Sequence, residues 1–491
     1  MLDSNFAWIA GVSASPHTSR VLFDTPVYFV FLTITVLLYW RLNRHRQNVL
    51  LLAASYFFYG WWDWRFLSLI LTSTVFDYFA ALYIARSSNA LHRRTLLTIS
   101  LLLNFGFLGF FKYFNFFTDS FSHLLTSLGF PPLSIAALRI ILPPGISFYT
   151  FQAVAYIVDV YHRKLEPAES FVDYALFISF FPHLVAGPIQ RPSHLLPQCQ
   201  KPRQFHPDTV FDGVMLIISG LFRKCVVAEN CAMLADAAFN GRMGPANLGV
   251  VLIGTYAFAW QIFADFSGYS DIARGSAQLM GFHFMVNFRQ PYLAGSLTDF
   301  WRRWHISLST WLRDYLYIPL GGNRGGELKT YRNLMTTMLL GGLWHGANWT
   351  FVVWGGIHGV GLSIERWLIG RQRNAGEQPS FLGLWFSRIV VFHIVCLAWA
   401  FFRAQSLAAA LHFLGGLRRL ELGPGFFASL SYLAAFTVPL FLLELALESR
   451  NEEYVFARCP MLPRVGVGVA LMSIIALFAA NASTAFIYFQ F

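Results

Sequence analysis

The chain is 491 residues long, with 56% hydrophobic and only 12% charged side chains, and it carries 51 Phe and 15 Trp. So few polar residues cannot cover a soluble globule of this size, which excludes a water-soluble domain and points to a polytopic membrane protein. The net charge of +11 does not indicate nucleic acid, because no basic stripe with interleaved aromatics lies on a solvated face.

Apolar windows recur at residues 26–40, 48–61, 66–84, 95–117, 142–160, 174–189, 211–227, 248–266, 331–349, 351–368, 385–402, 432–445 and 465–486. A spanning helix needs roughly 17–25 residues, and several windows are shorter or interrupted. The spacing predicts an all-α bundle of about 11–13 crossings, with re-entrant pieces packed inside the protein. Lys and Arg cluster at 41–46, 86–94, 163–164, 191–203, 302–303, 324–332, 366–373 and 450–464. If the earliest clusters are cytoplasmic, the N-terminus lies outside. Residues 1–24 lack a basic start, an apolar run and a small-residue cleavage site, so insertion by the first spanning helix is expected rather than a removable signal peptide. Cys199, Cys225, Cys231, Cys396 and Cys459 form no CxxC pair and indicate neither a disulfide framework nor a zinc site. No internal repeat appears, and the longest polar connections, 190–208 and 370–380, are short. One integral domain over 1–491 is the simplest organisation.

Two apolar windows are broken. Leu-Pro-Pro-Gly-Ile-Ser-Phe at 142–148 and Phe-Pro-His-Leu-Val-Ala-Gly-Pro-Ile-Gln-Arg-Pro at 181–192 cannot continue a helix. Irregular backbone at membrane depth must be buried in protein or line a cavity. Asp265 and Asp271 need buried partners, with Arg274 or Arg313 as candidates for structural ion pairs.

From Asp299 to Leu316, a helical wheel puts Arg302, His305, Ser309 and Arg313 on one polar stripe, and Trp304, Leu308, Trp311 and Tyr315 on an aromatic one. Such a helix either anchors at the interface or lines a polar tunnel. The following Pro-Leu-Gly-Gly-Asn-Arg-Gly-Gly is a turn-rich exit.

Gly-Gly-Leu-Trp-His-Gly at 341–346 sets His345 inside an apolar stretch, where a titratable side chain is costly unless used. Its apolar surroundings favour a neutral imidazole able to act as a general base. The alternative is a histidine donating one hydrogen bond between packed helices. Asn348 falls on the same face if the helix continues, and could hold a carbonyl or orient the ring. His358 would lie roughly 20 Å further along an unbroken helix and reads as a packing residue. His183 and His393 read as satisfied core groups.

Longer blocks carry a resemblance. They are Leu-Pro-Pro-Gly-Ile-Ser-Phe-Tyr-Thr-Phe-Gln (142–152), Asp-Val-Tyr (159–161), Phe-Pro-His-Leu-Val-Ala-Gly-Pro-Ile (181–189) and Asp-Phe-Ser-Gly-Tyr-Ser-Asp-Ile-Ala (265–273). They continue through the run from Phe300 to Arg324 and Trp-His-Gly-Ala-Asn-Trp (344–349). In this order they make the chain resemble the membrane-bound O-acyltransferase (MBOAT) family, and within it the bacterial branch typified by the alginate O-acetylation protein AlgI. The motif-rich core is 140–360.

The resemblance implies an MBOAT-type helical bundle with a central tunnel, with His345 as the catalytic histidine and His305 as the second functional position. Asn348, Arg302, Ser309 and Arg313 would line the passage. It further implies an acetyl group taken from a cytoplasmic thioester such as acetyl-CoA, as substrate, with no tightly bound cofactor. The acetyl would be delivered across the bacterial inner membrane, through a periplasmic acetyltransferase-type partner, to an extracytoplasmic polysaccharide. Ile-Pro-Leu-Gly-Gly-Asn-Arg, which the related D-alanine-exporting branch lacks, favours acetyl transfer to polysaccharide. His183 stands where that family more often has glutamine. The alternatives are a proton-coupled transporter or flippase built on His305 and His345, D-alanyl or peptidoglycan O-acyl transfer, and a non-catalytic scaffold for exopolysaccharide assembly.

Overall fold

The computed structural model describes residues 23–131, 140–185, 187–371, 380–452, 454 and 460–480. Expectations for the start of the chain, for Ala186, for Cys459, for most of the connection at 370–380 and for residues 481–486 lie outside them. All regular structure among the described residues is helical. By length and composition, six stretches among them can cross a membrane: Arg44–Arg86, Ala90–Ser127, Leu248–Gln278, Phe381–Arg403, Phe426–Arg450 and Met461–Phe478. The other apolar windows fall on helices that are shorter or more polar, such as Pro26–Tyr39 and Glu327–His345. In Leu248–Gln278 83% of the apolar window is buried, against 11% in Met461–Phe478, so the first is a core helix and the second presents its side chains to lipid.

The described residues form two compact units. In the unit of residues 23–214 and 273–285, the helices Pro26–Tyr39, Arg44–Asp63, Ala90–Leu108 and Phe171–Ser179 start where Thr25, Asn43, Asn89 and Ser170 accept first-turn amides. Asp77 accepts from Ser100 Oγ at 2.5 Å and Asn104 Nδ2 at 2.8 Å, which ties Leu67–Arg86 to Ala90–Leu108 inside an otherwise apolar layer. Both predicted interruptions are present. The helix Ile146–Tyr161 begins after Gly145, whose φ of 76° is left-handed, and a Cβ there would overlap the Leu184 carbonyl. Past Phe181–Leu184 the backbone is irregular as far as Pro192, and its described residues are mostly buried. The two breaks therefore pack on each other within protein, which satisfies the rule against lipid-exposed loops.

In the unit of residues 215–272 and 286–480, a π-helical stretch at Phe222–Ala228 presents two successive cations. Lys224 pairs with Asp265 at 2.8 Å, while Arg223 reaches Glu444 at 2.9 Å and Asp271 at 3.9 Å. Ion pairs at these aspartates are present as expected, with Lys224 and Arg223 among the partners, while the candidate Arg313 pairs with its neighbour Asp314 at 2.7 Å. The two cations engage acids on two different helices, Lys224 on Leu248–Gln278 and Arg223 chiefly on Phe426–Arg450, and a regular α-helical reading of the sequence misses the π stretch that carries them.

The helices Glu327–His345 and Trp349–Arg371 form a tight hairpin. A Cβ at Gly342 would overlap the Phe351 carbonyl, and one at Gly355 would overlap that of Met338. Glycine at both positions lets the backbones touch, the small-residue packing typical of membrane helices.

Candidate active site

His345 is the last residue of Glu327–His345, and Gly346 ends the helix in extended backbone with φ −162° and ψ 146°. Glycine is required there for space: a Cβ would stand 2.8 Å from Phe351 Cζ and nearer still to Cε2 and Cδ2 of that ring. The turn projects His345 into aromatic side chains. Its ring meets those of Trp344 and Trp354 at centroid distances of 5.0 Å, and Phe402 at 5.4 Å, all near edge-to-face.

His305 reaches the same place from another element. The continuous helix expected from Asp299 to Leu316 does not exist: Leu297–Arg303 and Ile306–Leu312 are separate helices, with Trp304 extended and His305 left-handed at φ 42° and ψ 55°. A non-glycine residue there is strained and persists only where the surroundings fix it. Asn287 supplies the fixing. Its backbone carbonyl accepts from Ile306 N at 2.9 Å, its Oδ1 accepts from Ser307 Oγ at 2.6 Å, and its Nδ2 donates to Ser270 Oγ at 3.2 Å. The short helix before the break is capped by Glu365, whose carboxylate accepts from Leu297 N at 2.6 Å and Thr298 N at 3.1 Å.

The result is a histidine pair. The rings of His305 and His345 lie 6.4 Å apart between centroids, and Phe266 packs edge-to-face on His305 at 4.7 Å. Only 4% of His345 and none of His305 is exposed. Trp304, Trp354, Trp399 and Phe402 form the surrounding wall; Trp304 meets Trp399 at 5.0 Å and Trp399 meets Phe402 at 5.1 Å. A cavity of about 300 Å³ lined by Trp260, Tyr292, Arg388 and Phe392 lies beside this wall, where Tyr292 packs on Trp304 at 6.0 Å. One reacting group held between two imidazoles can exchange a proton with either, provided the aromatic rings part to admit it.

The other expected site residues are not gathered here in the same way. The break at His305 abolishes the polar stripe, because Arg302 and Ser309 no longer share one helical axis. Arg302 and Arg313 are exposed, while Ser309 is half-buried with its hydroxyl on the Trp304 carbonyl at 3.0 Å. Asn348 is not on the His345 face, since the helix ends at His345. Its Oδ1 accepts from Thr350 N at 3.1 Å, capping Trp349–Arg371, and its Nδ2 donates to the Gln405 carbonyl at 3.1 Å. His393 has both ring nitrogens partnered, Nε2 on Tyr256 Oη at 2.8 Å and Nδ1 on the Ile389 carbonyl at 2.7 Å, but it is exposed rather than a core group.

Sequence reading did not single out Asn287, Trp354 or Phe402. Asn287 stands in a short polar-apolar segment with no distinguishing motif, and only its bonds to Ser270, Ile306 and Ser307 reveal its role. Trp354 follows His345 by nine residues and becomes its neighbour because the chain reverses between them.

Residues 164–403 match the model of the MBOAT, membrane-bound O-acyltransferase family. The chain is 43% identical over 392 residues to the probable alginate O-acetylase AlgI of Azotobacter vinelandii, covering 79% of this chain and 76% of that protein. It is 38% identical to the peptidoglycan O-acetyltransferase of Helicobacter pylori, covering 81% and 80%. The teichoic acid D-alanyltransferase of Bacillus subtilis is 27% identical, covering 53% and 68%. With these likenesses joined to an all-helical membrane fold and a buried histidine pair, the chain belongs to the membrane-bound O-acyltransferase family and is an O-acyltransferase.

Proposed function

We propose that the protein transfers an acetyl group from a cytoplasmic thioester, acetyl-CoA or a close analogue, for O-acetylation of an extracytoplasmic polysaccharide. The observation that carries this reading is the His305–His345 pair, 6.4 Å apart and assembled from two separate elements. The likeness to an alginate O-acetylase over 79% of the chain supports acetyl as the group and a glycan as the destination.

In the proposed step, the acceptor hydroxyl oxygen attacks the thioester carbonyl carbon while His345 takes the hydroxyl proton. The tetrahedral intermediate collapses with breakage of the C–S bond, and the departing thiolate recovers the proton from His345. His305 is the polar ring facing this centre and stabilises the developing oxyanion. The enclosing aromatic side chains limit the entry of bulk water, so hydrolysis is slow beside transfer to the acceptor hydroxyl. The acceptor hydroxyl belongs to a periplasmic partner protein that passes the acetyl to the glycan, and the membrane is the bacterial inner membrane.

Likeness at 38% identity to a peptidoglycan O-acetyltransferase supports a second destination, peptidoglycan, on the same chemistry. The test is expression of wild type and His345→Ala at equal membrane levels in a strain lacking the gene, with ester-linked acetate measured on secreted polysaccharide and on peptidoglycan. Loss of acetate in the variant supports the reading, and the fraction that loses it identifies the glycan. Equal acetate in both strains on both fractions overturns it.

A further inference from the structure

His358 lies on Trp349–Arg371 with Trp354, Gly361 and Glu365 at spacings of four, three and four residues, one helical face. That face packs on the Leu297–Arg303 helix: Glu365 caps it, and a Cβ at Gly361 would overlap Leu297 Cδ1. His358 is fully buried. Its ring lies parallel to Phe300 at 6.0 Å and edge-on to Trp301 at 5.1 Å and Trp354 at 4.9 Å. Neither His358 Nδ1 nor Nε2 has a hydrogen-bond partner among the described residues, and the same holds for Nε1 of Trp301 and Nε1 of Trp354.

Four polar nitrogens therefore share one aromatic cage without partners. Buried polar groups in this condition are rare and costly, whereas a phenyl ring would fill the same space without the cost. A residue kept only for packing has no reason to be an imidazole here. The cage also shares a wall with the reactive pair, because Trp354 contacts both His358 and His345, the latter at 5.0 Å.

We propose that His358, Trp301 and Trp354 form a hydrogen-bonding recess for one hydroxyl oxygen beside His345, an inference that rests on the acyl-transfer reading above. A hydroxyl matches the donor set: its oxygen accepts from the two indole N–H groups, and its proton is donated to an imidazole nitrogen. A carboxylate or a bare carbonyl leaves the imidazole acceptor unused. The hydroxyl belongs either to water or to the acceptor alcohol.

The experiment compares wild type with His358→Phe, Trp301→Phe and His345→Ala. It reads the melting temperature of the detergent-solubilised full chain, ester-linked acetate on cell glycans, and thiol release from acetyl-CoA by the purified protein with water as the only acceptor. His358→Phe is expected to melt at or above wild type while glycan acetate falls at least about tenfold, and Trp301→Phe is expected to lower acetate in the same direction. Unchanged thiol release alongside lost acetate assigns the hydroxyl to the acceptor alcohol, and loss of both assigns it to water. Wild-type acetate in His358→Phe makes His358 a packing residue and overturns the inference. If His358→Phe fails to fold, wild-type acetate in Trp301→Phe overturns it and lost acetate sustains it. Acetate retained in His345→Ala would instead bring down the acyl-transfer reading, whereas His345→Ala inactive beside a fully active His358→Phe removes only the recess.

Discussion

Gly346→Ala changes no reactive group, yet it should disable the enzyme. The φ of −162° is open to any residue, so the effect comes from space alone. The added methyl would sit 2.8 Å from Phe351 Cζ and closer to two other ring atoms, where carbon atoms normally rest about 3.5–4.0 Å apart. Either the Phe351 ring or the turn carrying His345 must move by more than about 1 Å to restore ordinary contact. Overpacking of this kind costs about 1–3 kcal/mol of stability, and a displacement of about 1 Å at a reacting group lowers turnover about 10²-fold. That loss corresponds to about 2.7 kcal/mol in the barrier. The assay is ester-linked acetate on glycan at matched membrane levels, with the melting temperature of the solubilised protein measured in parallel. Phe351→Leu should restore at least about a tenth of the lost activity in the Gly346→Ala background, because the two changes relieve one clash and are not additive. Wild-type acetate and melting temperature in Gly346→Ala would refute the claim that the Phe351 ring sets the His345 turn, as would a double variant no better than the single one.

Other perturbations test the supports of the site. Asn287→Ala removes the side-chain clamp on the left-handed His305 and leaves buried hydroxyls at Ser270 and Ser307 with one bond fewer; a stability loss of about 1–3 kcal/mol is expected, with acetate transfer falling further than that loss explains. Normal transfer in that variant would show that His305 holds its conformation without Asn287. Glu444→Leu strips Arg223 of its 2.9 Å partner and should cost about 3–5 kcal/mol in thermal or denaturant unfolding, whereas Arg223→Met combined with Glu444→Leu should cost less than the single change. A harmless single change would mean that the buried pair carries no such burden.

The amino-acid sequence determined that this is an all-helical membrane protein, where its backbone is interrupted at Pro143–Gly145 and between Leu184 and Pro192, and that its motif blocks follow the order of the membrane-bound O-acyltransferase family. Those features are written locally, in apolar length, in prolines that cannot donate, and in motif blocks. Where Arg302, Asn348 and the two histidines stand relative to one another was decided by tertiary structure. Nothing near Trp304 or His305 signals a helix break, since neither is glycine or proline; the break is held by Asn287 from a segment about eighteen residues earlier. Likewise Asn348 shares a face with His345 only on an unbroken helix, and the Phe351 ring that ends it packs back from the following helix. Periodicity assumes one axis, and the two histidines meet because two axes are broken there, one held by Asn287 from an earlier segment and the other where Phe351 of the following helix packs back on Gly346.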